Sequence, residues 1–115
     1  MVMTLQQLGE IALLTLNDEE RRRSAVYIDP QVYRAGSTIA AGRQRIQVPA
    51  PAVLVFVDLA PATNWGHPCR YLLLNADNGT VASIDCQFPP PRESLRLLHR
   101  GPEIKDWMLL TQESA

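Results

Sequence analysis

The chain has 115 residues, of which 46% are hydrophobic and 20% charged, and 11 basic against 12 acidic side chains give a net charge of -1. This length and composition predict a single domain, 1–115, with its own core, and they argue against wholesale disorder. The balanced charge disfavours general binding to nucleic acid or anionic lipid, and the absence of 18 consecutive apolar residues excludes a membrane-spanning helix.

The first sixteen residues lack the features of an export signal. No positive segment leads the apolar stretch, and Glu10 interrupts it. We therefore expect a cytoplasmic protein, whose reducing surroundings keep Cys69 and Cys86 as free thiols.

The N-terminal region predicts helix. Leucine and alanine recur at helical spacing over 4–16, and Thr4 with Gln7 has the form of a capping box. The following polar run, 17–23, places acids before bases, as a short solvated helix would.

A β-rich core is expected over 25–88, because short apolar segments alternate there with glycine and proline. The continuous apolar run 53–59 is typical of a central strand that is covered on both faces. The other expected strands are 25–28, which Asp29 and Pro30 end, and the pair 38–40 and 43–48.

The clearest pattern is a hairpin, 69–88, that turns at 77–79. Alternation places Cys69 and Cys86 on its core face. Leu72 and Leu74 fall on the other face, which a helix or a partner must then cover.

The C-terminal region predicts a short helix over 92–100, since Leu95 and Leu98 are spaced three apart and Arg100 precedes Gly-Pro. Residues 104–111 fit either a strand or a helical tail, and 112–115 should fray. The fold class is α+β, mainly β: an antiparallel sheet forming a roll or sandwich, with an N-terminal helix and a short C-terminal helix.

Residues 61–69 concentrate Trp65, His67 and Cys69 on one loop, where a site is most plausible. If the protein is an enzyme, Cys69 is its nucleophile, His67 the base and Asp58, or else Asp85, the group that orients the imidazole. Against this, cysteine hydrolases usually draw the base from a distant part of the chain.

The two cysteines leave other chemistry open. His67, Cys69, Cys86 and His99 form a complete zinc ligand set, but their spacing matches no zinc finger. A disulfide between Cys69 and Cys86 is also open, since a turn at Asp77-Asn78 would place them directly opposite each other. We favour two buried, inert thiols and expect no cofactor.

The preferred function is a non-enzymatic protein-interaction or accessory module that binds another protein or, as a homo-oligomer, itself. Its expected partner-binding residues are Trp65, Arg70, Leu72 and Leu74. The alternatives are the small Cys/His-dependent enzyme or zinc protein, and a single-stranded nucleic-acid binder. The last would need Arg43, Arg45, Arg70, Arg92, Arg96 and Arg100 on one surface.

Overall fold

A computed structural model of the protein describes residues 2–41, 44–63, 66–90 and 93–111. Two helices open the chain, seven strands follow, and a short 3-10 helix lies near the C-terminus. The helices are α1 (Leu5–Leu14) and α2 (Asp18–Arg23), and the 3-10 helix is Asp106–Met108. The strands are β1 (Ala25–Tyr33), β2 (Thr38–Ala41), β3 (Gln44–Gln47), β4 (Ala52–Asp58), β5 (Cys69–Asn75), β6 (Val81–Cys86) and β7 (Arg96–Arg100).

Both predicted N-terminal helices are present, and each begins with a capping box. The Thr4 hydroxyl accepts from the Gln7 backbone while the Gln7 side chain accepts from the Thr4 backbone, and Asn17 with Glu20 repeats the arrangement in α2. These reciprocal bonds satisfy two of the otherwise unpaired N–H groups at each helix start. Neither α1 nor α2 is long and apolar enough to cross a membrane.

Five strands form one antiparallel sheet in the order β6-β5-β4-β1-β7, and β2 and β3 form a separate hairpin. The predicted central strand is β4, which lies in the middle of the sheet and is buried along its whole length. The predicted fold class, α+β and mainly β, is therefore confirmed.

The two faces of the sheet have different covers. On one face α1 packs Leu8 and Ala12 against the aliphatic side chains of β1, β4 and β5, including Leu72 and Leu74. Full burial of each such leucine stabilises the fold by roughly 1.5–3 kcal/mol. The other face carries Tyr27, Phe56 and Tyr71 and is covered by the β2–β3 hairpin and the C-terminal segment.

The predicted hairpin is formed by β5 and β6, and its register places Cys69 directly opposite Cys86. That is the register expected for a turn at Asp77-Asn78, although the connection is longer than two residues. The Asn75 side chain accepts from the backbone N–H groups of Asp77 and Asn78, and Gly79 takes φ 74. A left-handed glycine closes the turn because other L-residues adopt this conformation only with strain.

The predicted helix over 92–100 is wrong, because Arg96–Arg100 is the edge strand β7. Adjacent leucines decide the matter: Leu97 packs on the aromatic face of the sheet and Leu98 on the α1 face. A strand sends neighbouring side chains to opposite faces, whereas one face of a helix could not serve both cores. Residues 91–92 and the expected frayed tail, 112–115, lie outside the described residues.

The first strand also runs further than predicted. It passes through Asp29 and Pro30 to Tyr33, with a register shift between Asp29 and Val32. The buried Asp29 carboxylate accepts from the Gln31 N–H and the Tyr33 hydroxyl. The irregularity accommodates the proline, which has no N–H to give to the ladder.

Candidate functional site

The two cysteines face each other at the end of the β5–β6 hairpin that lies away from the turn. Cys69 begins β5, Cys86 ends β6, and their Sγ atoms are 2.7 Å apart as free thiols. The Phe88 carbonyl lies beside them, 3.8 Å from Cys69 Sγ, and accepts a hydrogen bond from the Tyr71 hydroxyl. Sheet register thus brings together two thiols separated by 17 positions in the chain.

Burial controls the acidity of this pair. It raises the pKa of Cys69, a shift that the hydrogen bond with Cys86 opposes and the charge of Asp58 reinforces. Burial likewise raises the pKa of Cys86, with further increases from the contact with Cys69 and from the charge of Asp85. Both groups are therefore protonated at neutral pH, and a protonated thiol is a poor nucleophile.

An acid–imidazole pair lies next to the thiols. His67 Nε2 is 2.8 Å from Asp58 Oδ1, which also accepts from the Ala60 N–H, and both side chains are buried. Asp58 pairs with Cys69 in the β4–β5 register, so the carboxylate belongs to the same end of the sheet. Burial raises the pKa of Asp58 more strongly than the hydrogen bond from His67 lowers it.

A cavity of about 750 Å³ opens beside the cysteines. This volume is within the range of small-ligand sites. Its lining combines both cysteines with apolar residues, two glutamines and Asp85, whose side chain alternates to the opposite face of the sheet from Cys86. The lining residues are Gln44, Leu59, Pro68, Cys69, Asp85, Cys86, Gln87 and Phe88.

The fold therefore assembles only part of the enzyme constellation predicted from sequence. Asp58 does hold His67, and Cys69 is in the same row of the sheet. However, the thiol is buried, and its raised pKa keeps it protonated. That is the opposite of the lowered pKa that activates catalytic cysteines.

The four predicted zinc ligands are not brought together. His99 lies on β7, at the opposite edge of the sheet from Cys86, and its Nε2 is 2.7 Å from the carbonyl oxygen of Arg21. Within the described ranges, no group of three or more His, Cys, Asp or Glu side chains is placed to hold a metal ion.

The predicted partner surface is largely occupied by the chain itself. Leu72 and Leu74 are fully buried beneath α1, so the cover that the sequence demanded is a helix of the same chain. Arg70 forms a half-buried ion pair with Glu20 of α2 at 2.8 Å. Trp65 lies outside the described residues. These leucines are therefore unavailable to a partner.

The arginines expected for nucleic-acid binding are dispersed over the fold. Arg45 lies on β3, while Arg96 and Arg100 lie on β7, and Arg70 is paired with Glu20. Arg100 is paired with Asp106 as well. Arg43 and Arg92 are outside the described residues. The four described arginines of this set lie on three strands, and two of them are already paired with acidic side chains.

Sequence reasoning missed a different feature, the open edge of β6. This strand is last in the sheet, pairs with β5 without a register shift, and exposes the small side chains Ala82 and Ser83. Edge strands usually carry protection such as a bulge, a proline or a lysine. Within Val81–Cys86, which the structure describes in full, the sequence VASIDC provides none of these.

The hydrogen-bond pattern shows which backbone groups of β6 face outward. The Asn75 N–H donates to the Thr80 carbonyl, so groups pointing toward β5 belong to every second residue from Thr80. Those of Val81, Ser83 and Asp85 then point away from the sheet. Gln44 Nε2 indeed donates to the Asp85 carbonyl at 3.0 Å from outside the ladder.

The opposite edge is better guarded. The β1–β7 ladder contains a register shift, Arg96 and Arg100 are exposed, and α2 packs beside the strand. The contrast leaves β6 as the edge that can accept another strand. Which strand lies at an edge depends on the strand order, and no local pattern in the sequence encodes that order.

No protein-family model, curated protein or solved structure matches this chain, so function has to be argued from its own geometry.

Proposed function

We propose that the protein is a non-enzymatic interaction module that self-associates through β6. The observation that carries the proposal is the regular edge of this strand, which has no bulge, proline or lysine and directs the backbone groups of Val81 and Ser83 outward. Such an edge binds another strand through main-chain hydrogen bonds. The occupant we favour is β6 of a second copy, which would join two five-stranded sheets into one.

The sequence of β6 suits antiparallel pairing with itself. With Ser83 opposite its own symmetry mate, Val81 lies opposite Asp85 and Ala82 opposite Ile84. The three residues with outward backbone groups then face one another, as hydrogen-bonded pairs require.

Charge also permits this arrangement. The single charged side chain of the strand, Asp85, meets a valine instead of another carboxylate, and the whole chain carries a net charge of only -1. Two-fold pairing of one patch with itself gives a closed dimer. The side chain of Gln44 would leave the Asp85 carbonyl when the second strand binds.

The experiment compares two substitutions at one position. Ser83→Pro removes an outward N–H without breaking a bond to β5, and proline is tolerated at sheet edges. Ser83→Ala keeps that N–H and serves as the matched control. Light scattering after size exclusion, over a range of protein concentrations, should show dimers for the unchanged protein and Ser83→Ala, and monomers for Ser83→Pro.

Two results would overturn self-association. The first is a monomer at every concentration for the unchanged protein. The second is a Ser83→Pro variant that keeps its far-UV circular dichroism and still dimerises. If the unchanged protein is monomeric but captures a different protein through β6, the interaction module stands with another partner.

The second candidate is a small Cys/His-dependent enzyme, which the hydrogen bond between Asp58 and His67 favours. An oriented imidazole beside a cysteine is the arrangement that thiol hydrolases use. We rank it below the interaction module because burial raises the pKa of Cys69. For either candidate we propose a reducing compartment such as the cytoplasm, where free thiols persist.

A further inference from the structure

The paired cysteines carry an inference that does not depend on self-association. We propose that Cys69 and Cys86 are a redox-active pair, which small disulfide compounds entering the adjoining cavity convert reversibly to an intrachain disulfide. The substrate class is therefore a low-molecular-weight disulfide, and the product is the corresponding thiol. The reactive sulfurs are already neighbours, and a cavity of about 750 Å³ gives such a compound access to them.

The geometry favours closure of the bond. Cys69 and Cys86 are directly opposed in the ladder, and their sulfurs, 2.7 Å apart, need to approach by less than about 1 Å to reach the disulfide bond length. Because β5 and β6 are already paired without a register shift from the turn up to this position, no strand has to change register.

The reaction balances with the disulfide as oxidant. Cys86 first loses its proton to solvent, a step that its raised pKa disfavours at neutral pH, and its thiolate then attacks one sulfur of the compound RSSR, forms a mixed disulfide and expels RS⁻. The thiolate of Cys69 then attacks the Cys86 sulfur, closes the intrachain bond and expels the second RS⁻. The two cysteines lose two protons and two electrons, and RSSR becomes two molecules of RSH.

The order of attack follows from exposure. Cys86 is 7% exposed and lies on the edge strand, whereas Cys69 is 2% exposed and lies between β4 and β6. The incoming compound therefore meets Cys86 first, and Cys69 acts as the resolving thiol.

The cavity also selects among disulfides by charge. Asp85 borders the cavity, and its charge acts on the Cys86 thiol although its side chain lies on the other face of the sheet, while Leu59, Pro68 and Phe88 offer apolar contact. The negative charge of Asp85 near the thiol pair repels anionic compounds, so cationic and neutral disulfides should react faster.

The test uses three disulfides of similar size and different charge: cystamine, bis(2-hydroxyethyl) disulfide and dithiodiglycolate. Each is incubated with the reduced full chain, and free thiols and intact mass are followed over time. Rates are divided by those of the urea-denatured protein, which corrects for the intrinsic reactivity of each compound. We expect both thiols to disappear, with a mass loss of two hydrogens and no added group, and a reductant should restore them.

The normalised rates should fall from the cation to the anion by several-fold. Asp85→Asn should reduce the difference in normalised rate between the cationic and the anionic disulfide. Cys69→Ser should accumulate the mixed disulfide on Cys86, and Cys86→Ser should react several-fold more slowly.

Several outcomes would overturn the proposal. They are persistent adducts on the unchanged protein, bonds between chains instead of within one, and equal rates for the two single-cysteine variants. The charge series on the unchanged protein needs no substitution, so a variant that fails to fold does not remove the test. The readout is the mass of one chain. The redox test therefore stays valid even if the protein proves to be a monomer that does not associate through β6.

Discussion

Gly79 of the β5–β6 turn lies directly against Ile11 of α1: a β-carbon built at Gly79 would be 2.6 Å from Ile11 Cδ1 and 3.0 Å from Met3 Sδ. The same glycine has φ 74. The turn is thus constrained both by its own backbone and by the helix packed on it.

Replacing Gly79 with alanine should destabilise the protein through both effects. The left-handed conformation costs roughly 1–2 kcal/mol for a residue with a β-carbon. The clash adds about 1 kcal/mol, at the low end for over-packing, because the ends of the Ile11 and Met3 side chains can shift. Gly36→Ala is the matched control, because Gly36 has φ 86 but open space around it. Urea unfolding should show a larger decrease in the free energy of unfolding for Gly79→Ala than for Gly36→Ala. Equal decreases would mean that the contact with α1 does not constrain the turn.

Removal of the His67 imidazole should leave the buried Asp58 carboxylate with one fewer donor. We expect His67→Ala to cost roughly 1–3 kcal/mol near neutral pH, the penalty for an under-satisfied buried polar group. In a chain that also carries Asp58→Asn, the cost of His67→Ala should be smaller, because an uncharged amide is less destabilised than a buried carboxylate by the loss of one hydrogen-bond donor.

The loss of stability caused by His67→Ala should also increase as pH rises. The pKa of Asp58 is already raised above its ordinary 3.8, and losing the hydrogen bond from His67 raises it further. A carboxyl whose pKa is higher in the folded state loses stability as pH rises from the unfolded value through the folded one. Chemical unfolding in the Asp58→Asn background tests this assignment. In that background, the effect of His67→Ala on the free energy of unfolding should not change with pH between the unfolded and folded pKa values of Asp58.

The ion pair between Glu20 and Arg70 should contribute more than its exposed counterpart on α2. Its side chains are 23% and 21% exposed, against 65% and 61% for Glu19 and Arg23. A double-mutant cycle with Glu20→Gln and Arg70→Gln should give about 1 kcal/mol of coupling, and the Glu19–Arg23 cycle about 0.3 kcal/mol. Equal coupling in the two cycles would contradict the importance of partial burial.

Acid should remove the contribution of Glu20. A backbone hydrogen bond with Asn17 and then the contact with Arg70 lower the pKa of Glu20 below its ordinary 4.5. The stability it provides is therefore complete above pH 4.5 and is lost as pH falls through the lower folded value. Glu20→Gln should unfold with a weaker dependence on acid than the unchanged protein.

Alkylation of the thiols should be slow at neutral pH. The pKa values of Cys69 and Cys86 are both raised above the ordinary 9.0, so the rate with iodoacetamide should still rise at pH values where a free cysteine has reached its plateau. The urea-denatured chain is the control and should plateau normally. Fast reaction at neutral pH would instead support the Cys/His-dependent enzyme.

The parts of the fold that the sequence predicted are those set by local chemistry. A few consecutive residues are enough to recognise each of three features: the capping box of Thr4 with Gln7, the apolar run of β4 and the turn at Asp77–Gly79. β7 could not be predicted in this way, because Leu95 and Leu98 have helical spacing. The segment forms a strand because Leu97 and Leu98 pack into separate cores on opposite faces of the sheet.

The candidate site was predictable in its chemistry but not in its surroundings. Alternation along the hairpin places Cys69 and Cys86 on one face. The residue types predict a carboxylate beside His67 but leave Asp58 and Asp85 open, and the structure pairs His67 with Asp58. Whether a helix or a partner covers Leu72 depends on where α1 docks. The open edge of β6 depends on strand order, which arises from contacts between distant segments.

The docking of α1 has a consequence for synthesis on the ribosome. Translation makes this helix before β4 and β5, on which its leucines pack, and these strands leave the exit tunnel only after a long stretch of further translation. During that interval an amphipathic segment has no place to bury its apolar side. Nascent chains halted before β5 should therefore recruit chaperones through this segment, and those halted after the hairpin should release them.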